Sequence, residues 1–178
     1  MATHEVYLTP EVKGLIGTES PERAAQEPVT VSELRRFVQA IMDPDPIYWD
    51  EEYARRTRYG GVVCPPLFPV HYFRTPVNAP DPLEAGFGRD PNFDGIGVER
   101  RGLPEIPIPL KRILNAGNET EFYQLAKPGE RLTAQHRIAD IFEREGRSGR
   151  MVFVVIETTI WNDKRELLLV SRQSTIRR

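Results

Sequence analysis

Residues 42–68, MDPDPIYWDEEYARRTRYGGVVCPPLF, gather most of the side chains in this chain that could move a proton or hold a polar substrate. Asp43 sits in an acidic, proline-rich turn, where a carboxylate can orient water or a partner group; its plainer role is to cap or bend the turn. Tyr48, five residues on, carries a phenol with a reference pKa of ~10. Burial would raise that value further, because it disfavours the charged form. Tyr48 and Trp49 can line an apolar channel or simply pack beside the turn. Asp50 reads as a helix N-cap, and Cys64, in the apolar run VVCPP, as a buried small hydrophobe.

The three histidines, His4, His71 and His136, form no constellation. His71 falls on a helix expected to open at Pro65-Pro66, where it can face a tunnel or make an ordinary hydrogen bond. His136 alternates with Arg137 in a strand and reads as solvent-facing. No Cys/His/Asp spacing suggests a metal site. No Gly-rich phosphate loop and no G-x-S-x-G elbow is present, so no cofactor is expected. Arg144, Arg147 and Arg150 cluster in a turn, and Arg100-Arg101 with Lys111-Arg112 flank an irregular stretch. Such groups suit the phosphates of a ligand, or are simply solvated.

The elements that must position these residues follow from periodicity and punctuation. Thr30 to Glu33 reads as a capping box before an amphipathic helix with Leu34, Phe37, Val38 and Ile41 on one stripe. The prolines at 44 and 46 end it. A short helix follows Asp50 to about Thr57, Gly60-Gly61 stops it, and Pro65-Pro66 opens the next through Leu67, Val70 and Phe73. Residues 75–112 are rich in Pro, Gly and Asp without sustained periodicity, a long irregular insertion. It can cover a tunnel mouth, contact a partner, or close over its own side chains. Residues 120–125, 132–142, 151–161 and 167–176 then read as strands of an antiparallel meander, with turns near 127–129, 145–149 and 162–163. Helices followed by a run of long strands indicate α+β.

With 178 residues the chain fits one domain, 1–178, long enough to bury its own core. A net charge of -2 with 28% charged residues gives no electrostatic bias towards nucleic acid. No apolar run approaches the ~20 residues of a membrane span. A single cysteine excludes a disulfide framework, and MATHEVYLTP has neither the basic region nor the apolar core of an export signal, so a cytoplasmic location is expected.

Residues 43–54, DPDPIYWDEEYA, resemble the active-site segment of the MaoC-like acyl dehydratases and hydratases, G-D-x-N-P-x-H-x-D-x-x-x-A. Asp43 falls on the Asp of that pattern and Tyr48 on the His. Tyr in place of His, together with GLIGTES, NAGNETEFYQLAKPGERL and the closing residues 149–176, is similar to the N-terminal domain related to the fungal fatty-acid synthase dehydratase. The resemblance implies a hot-dog fold, a curved sheet wrapped around the helix that begins near Pro66. It also implies that Pro65-Pro66 replace a His-Gly pair whose Gly N–H would polarise the thioester carbonyl, and proline has no N–H to give. Asp43 and Tyr48 are then the catalytic positions, and Trp49, Asp50, Gly61, Cys64, Pro66 and His71 the candidate substrate-binding residues.

By this resemblance the chain is a subunit of an (R)-specific enoyl-thioester hydratase or 3-hydroxyacyl-thioester dehydratase. It would bind an acyl-CoA or acyl carrier protein thioester beside a catalytic MaoC-like subunit. Two other readings stay open: a self-sufficient homodimeric hydratase using Asp43, perhaps with Tyr48 or His71, and a non-catalytic acyl-thioester binding module.

Overall fold

The computed structural model describes residues 6–76, 78–80, 82–88, 101–110, 112–146 and 149–178. His4, Arg100, Lys111 and Arg147 lie outside the described residues. In chain order the elements are α1 (Pro10–Gly14), β1 (Arg23–Ala24), α2 (Val31–Ile41), a 3-10 turn (Pro46–Tyr48), α3 (Glu51–Arg55), a second 3-10 turn (Phe68–His71), α4 (Pro82–Phe87), β2 (Ile113–Phe122), β3 (Thr133–Gly146), β4 (Gly149–Trp161) and β5 (Leu167–Arg177). The architecture is α+β, as expected from the order of patterns.

The strands form one antiparallel sheet in the order β1-β3-β4-β5-β2. β3, β4 and β5 follow one another as a meander, but β2 crosses to the far side and pairs with β5 along Ile113↔Arg177 to Phe122↔Leu169. The expected four-strand meander is therefore corrected at its first strand, which also begins earlier than 120. Residues 17–25 run along the free edge of β3, with Gly17 N–H on the Ile138 carbonyl (2.8 Å), Ser20 N–H on the His136 carbonyl (2.8 Å) and β1 on Thr133 and Ala134.

One face of the sheet is covered by two apolar clusters. In the first, Leu34 and Val38 of α2 and Phe68 and Tyr72 from the second 3-10 turn meet Ala134, Ile160, Leu168 and Leu169 of the strands. The second joins Val12, Leu103, Ile106 and Ile108 to Ile138, Ile141, Val152 and Val154. Leu103, Ile106 and Ile108 of the long insertion are thus part of the core.

Between the clusters the register lines up His136, Thr158, Ser171 and Thr120 across four strands. His136 Nδ1 bonds Thr158 Oγ1 at 2.9 Å, and Ser171 Oγ bonds Thr120 Oγ1 at 3.0 Å. Desolvation, then Arg101 and Arg23, pull the His136 pKa down to about 4. The expectation of a solvent-facing His136 is overturned: it shares the inner face with Ala134 and Ile138, while Arg137 points outward to Glu157 (2.7 Å).

The helix expected from Pro66 to Phe73 is only the four-residue turn Phe68–His71. Prolines at 65, 66 and 69 withhold N–H groups from its start, and α2 is the longest helix among the described residues. α2 begins as expected, with Thr30 Oγ1 accepting from Glu33 N–H at 3.2 Å. The Glu33 carboxylate turns outward to Arg74 (2.7 Å). The helix ends at Met42, whose φ of 55° and ψ of 37° lie in the left-handed region. A side chain there costs roughly 1–2 kcal/mol, the reason glycine usually takes that place.

Candidate functional site

The turn after α2 is built by its aspartates. Asp43 Oδ1 accepts from Asp45 N–H (3.1 Å), Asp45 Oδ1 from Ile47 N–H (3.0 Å), and Asp50 Oδ1 from Tyr53 N–H (2.9 Å). Asp45 thereby caps the first 3-10 turn and Asp50 caps α3, with Pro46 at the first helical position. This succession fixes Tyr48 inward and Trp49 outward. Tyr48 is 8% exposed, and Trp49 is 60% exposed.

A cleft of about 660 Å³ opens here, within the range of small-molecule sites. Its apolar walls are Val31, Val38, Met42, Pro44, Trp49 and Val62; its polar groups are Arg35, Gln39, Asp43, Tyr48 and Glu51. Burial raises the Tyr48 pKa, and the nearby carboxylates of Asp43 and Asp45 raise it further. The phenol is therefore a neutral hydrogen-bond donor at pH 7 and a poor proton acceptor.

Of the predicted site residues, Asp43, Tyr48 and Trp49 come together in the cleft. Asp50 spends one oxygen on its helix cap. Gly61, Cys64, Pro66 and His71 are not among the lining residues, although Val62 is. Cys64 is fully buried in the first cluster, and burial pushes its thiol pKa strongly up. His71 is exposed, its ring centroid 5.9 Å from that of Phe37. Neither described histidine lines the cleft.

The wall supplied by α2 was not anticipated. Val31, Arg35, Gln39 and Met42 lie on the exposed side of that helix and its end, and amphipathic periodicity marks such positions only as solvated.

Three of the described basic side chains have partners away from the cleft. Arg144 stacks over Phe142 and Phe153, Arg150 meets Glu143 at 3.4 Å, and Arg101 donates to Gln173 at 3.0 Å. Among the described residues no group of three His, Cys, Asp or Glu side chains is placed to hold a metal ion. None of the described helices is long and apolar enough to cross a membrane.

The cleft can hold an apolar group between Met42, Trp49 and Val62 and offer hydrogen bonds from Tyr48, Gln39 and Arg35. Among the described residues it is lined by no imidazole, the side chain whose ordinary pKa suits two-way proton transfer near neutrality.

Comparison with known proteins agrees with this architecture. The family model described as "FAS1-like, dehydratase domain region" matches residues 14–169. A probable enoyl-CoA hydratase alpha subunit of Thermomonospora curvata is 27% identical over 165 residues, which cover 87% of this chain and 46% of that protein. The chain thus spans under half the length of that relative. Among solved structures, a chain of the ChsH1-ChsH2 complex from Mycobacterium tuberculosis superposes with a TM-score of 0.68 at 17% identity, covering 94% of this chain and 86% of that one. A chain of the C-terminally truncated HadBC (3R-hydroxyacyl-ACP dehydratase) complex from the same organism gives 0.58 at 17% identity, covering 91% and 96%. At these identities the structural likeness establishes the hot-dog fold.

Proposed function

This chain belongs to the FAS1-like dehydratase-region family of MaoC-like hot-dog proteins, and on that premise we propose that it is the substrate-binding companion of a catalytic MaoC-like subunit. Together they would form an (R)-specific enoyl-thioester hydratase or 3-hydroxyacyl-thioester dehydratase acting on an acyl-CoA or acyl carrier protein thioester.

One observation carries the reading: Tyr48, at the position that the resemblance aligns with the catalytic His, is a phenol buried beside Asp43 with its pKa raised. Hydration adds hydroxide to C3 and a proton to C2, so a group must accept a proton from water and one must return a proton. A phenol held neutral can orient a substrate oxygen but cannot take that proton near neutrality. Pro65 and Pro66 have no N–H to activate the thioester carbonyl. What remains suits binding: apolar walls for an acyl chain, a rim of Arg35 and Gln39 for its polar end, and the Tyr48 hydroxyl on the floor.

The sheet edge supports a partner. β2 is exposed along nearly all of its ten residues and, among the described residues, pairs on one side only, with β5. A long open edge of this kind is a ready template for another strand.

The test is hydration of crotonyl and longer enoyl thioesters by this chain, by a co-purifying MaoC-like subunit, and by the mixture. Activity, or a large gain in it, only in the mixture is expected. Full activity from this chain alone overturns the proposal.

A further inference from the structure

Resting on the reading of the cleft as an acyl site, we infer that Met42 sets the width of its mouth and thereby selects the acyl group by bulk. Three features of Met42 lead there.

Its backbone is left-handed, a conformation glycine adopts without strain. The bonds that end α2, Met42 N–H to the Gln39 carbonyl and Asp43 N–H to the Val38 carbonyl, are made by backbone alone. The helix end does not need the thioether.

Nor does the core. Met42 is 86% exposed and belongs to neither apolar cluster. What it borders is the cleft, together with Trp49, Val31 and Pro44.

The floor of that cleft, at Val38, Tyr48 and Val62, is buried, while the two largest apolar side chains of its lining, Met42 and Trp49, stand open to water. Apolar lips over an apolar floor gain most when a ligand fills the gap between them. An unbranched thioether with three rotatable bonds can fold along a straight chain. A rigid ring needs that side chain to rotate out into water and give up the apolar contact the straight chain keeps, because its backbone, held by the two helix-ending bonds, cannot retreat.

Trp49 provides the readout. Only two tryptophans are present, so a Trp161→Phe background leaves Trp49 as the single indole. Its emission is followed while octanoyl-CoA and cyclohexanecarbonyl-CoA are titrated into the full-length chain with Met42, Met42→Gly or Met42→Ala.

With Met42 the straight chain is expected to bind better. Both variants should lose that preference by about tenfold, the scale of a few atoms of pocket shape, and Met42→Gly should also melt higher by a few degrees as the backbone strain is relieved. Met42→Ala removes the thioether while keeping a β-carbon, so it separates shape from strain. A higher melting point for Met42→Gly with unchanged relative affinities in both variants would reduce Met42 to a helix end and overturn the inference. Absence of any Trp49 response to either thioester with Met42 in place would instead overturn the acyl reading of the cleft, and the inference with it.

Discussion

The cleft at the end of α2 and the polar row across the inner face of the sheet each contain a titratable ring that burial keeps uncharged. In the cleft it is Tyr48, whose pKa is raised; in the row it is His136, whose pKa falls to about 4. Desolvation is the first cause of both shifts, and it acts against whichever form is charged. The consequence differs with position. Tyr48 borders space that a ligand can enter, whereas His136 is tied to Thr158 and has its backbone held by Ser20. The imidazole of His136 is used to build the sheet, and the cleft holds the phenol of Tyr48.

Core truncation should separate the two regions most strongly. Leu34→Ala, on the buried side of the helix that carries Val38 and Met42, should cost about 3 kcal/mol and weaken acyl-CoA binding in the cleft. Ile141→Val, in the second cluster, should cost about 1 kcal/mol and leave that binding unchanged. Urea denaturation and Trp49 emission report the two effects. Equal loss of binding in both variants would mean that the cleft and the far half of the sheet are one mechanical unit.

A pH series sharpens the same contrast. His136 titrates near 6.5 in the unfolded chain and about 4 in the folded one. As pH falls from about 6.5 towards 4, the unfolded state gains a proton that the folded state resists, so stability is lost across that window. Arg101 and Arg23 face the ring and make its protonation worse. The full shift corresponds to about 3 kcal/mol, and solvent screening of this partly exposed ring reduces the contribution to roughly 2 kcal/mol. His136→Gln should flatten this part of the curve of denaturation midpoint against pH, and an unchanged slope would show that His136 is not its source.

Much of the sheet was legible because strands alternate with a period of two and end at glycine, proline and asparagine turns. The boundaries of β4 and β5 lie within two residues of those read from the sequence. The side of β3 on which His136 faces was not. The register shifts between Ile138 and Asp140, so inward positions run 134, 136, 138 and then 141, and no single alternation spans the strand.

The crossover of β2 to β5 is a tertiary choice that local pattern does not encode. The helix expected at Pro66 failed because proline fits a first turn but three of them leave little backbone to hydrogen-bond. In the cleft, the turn aspartates were readable as caps, while the wall from α2 was hidden: polar and exposed positions look alike whether water or a ligand covers them.

Whether proton transfer uses the side chains of this chain separates a binding subunit from a catalytic one. The most direct measurement is the hydration rate of crotonyl-CoA by the assembled pair, with this chain carrying Asp43→Asn and Tyr48→Phe together. If the chain binds and its partner reacts, the turnover rate should stay within about twofold; loss of a proton-transfer group typically costs about 10²–10⁴. A fall of that size, with the pair still assembled and acyl-CoA still bound, would place the chemistry in this cleft and contradict the account.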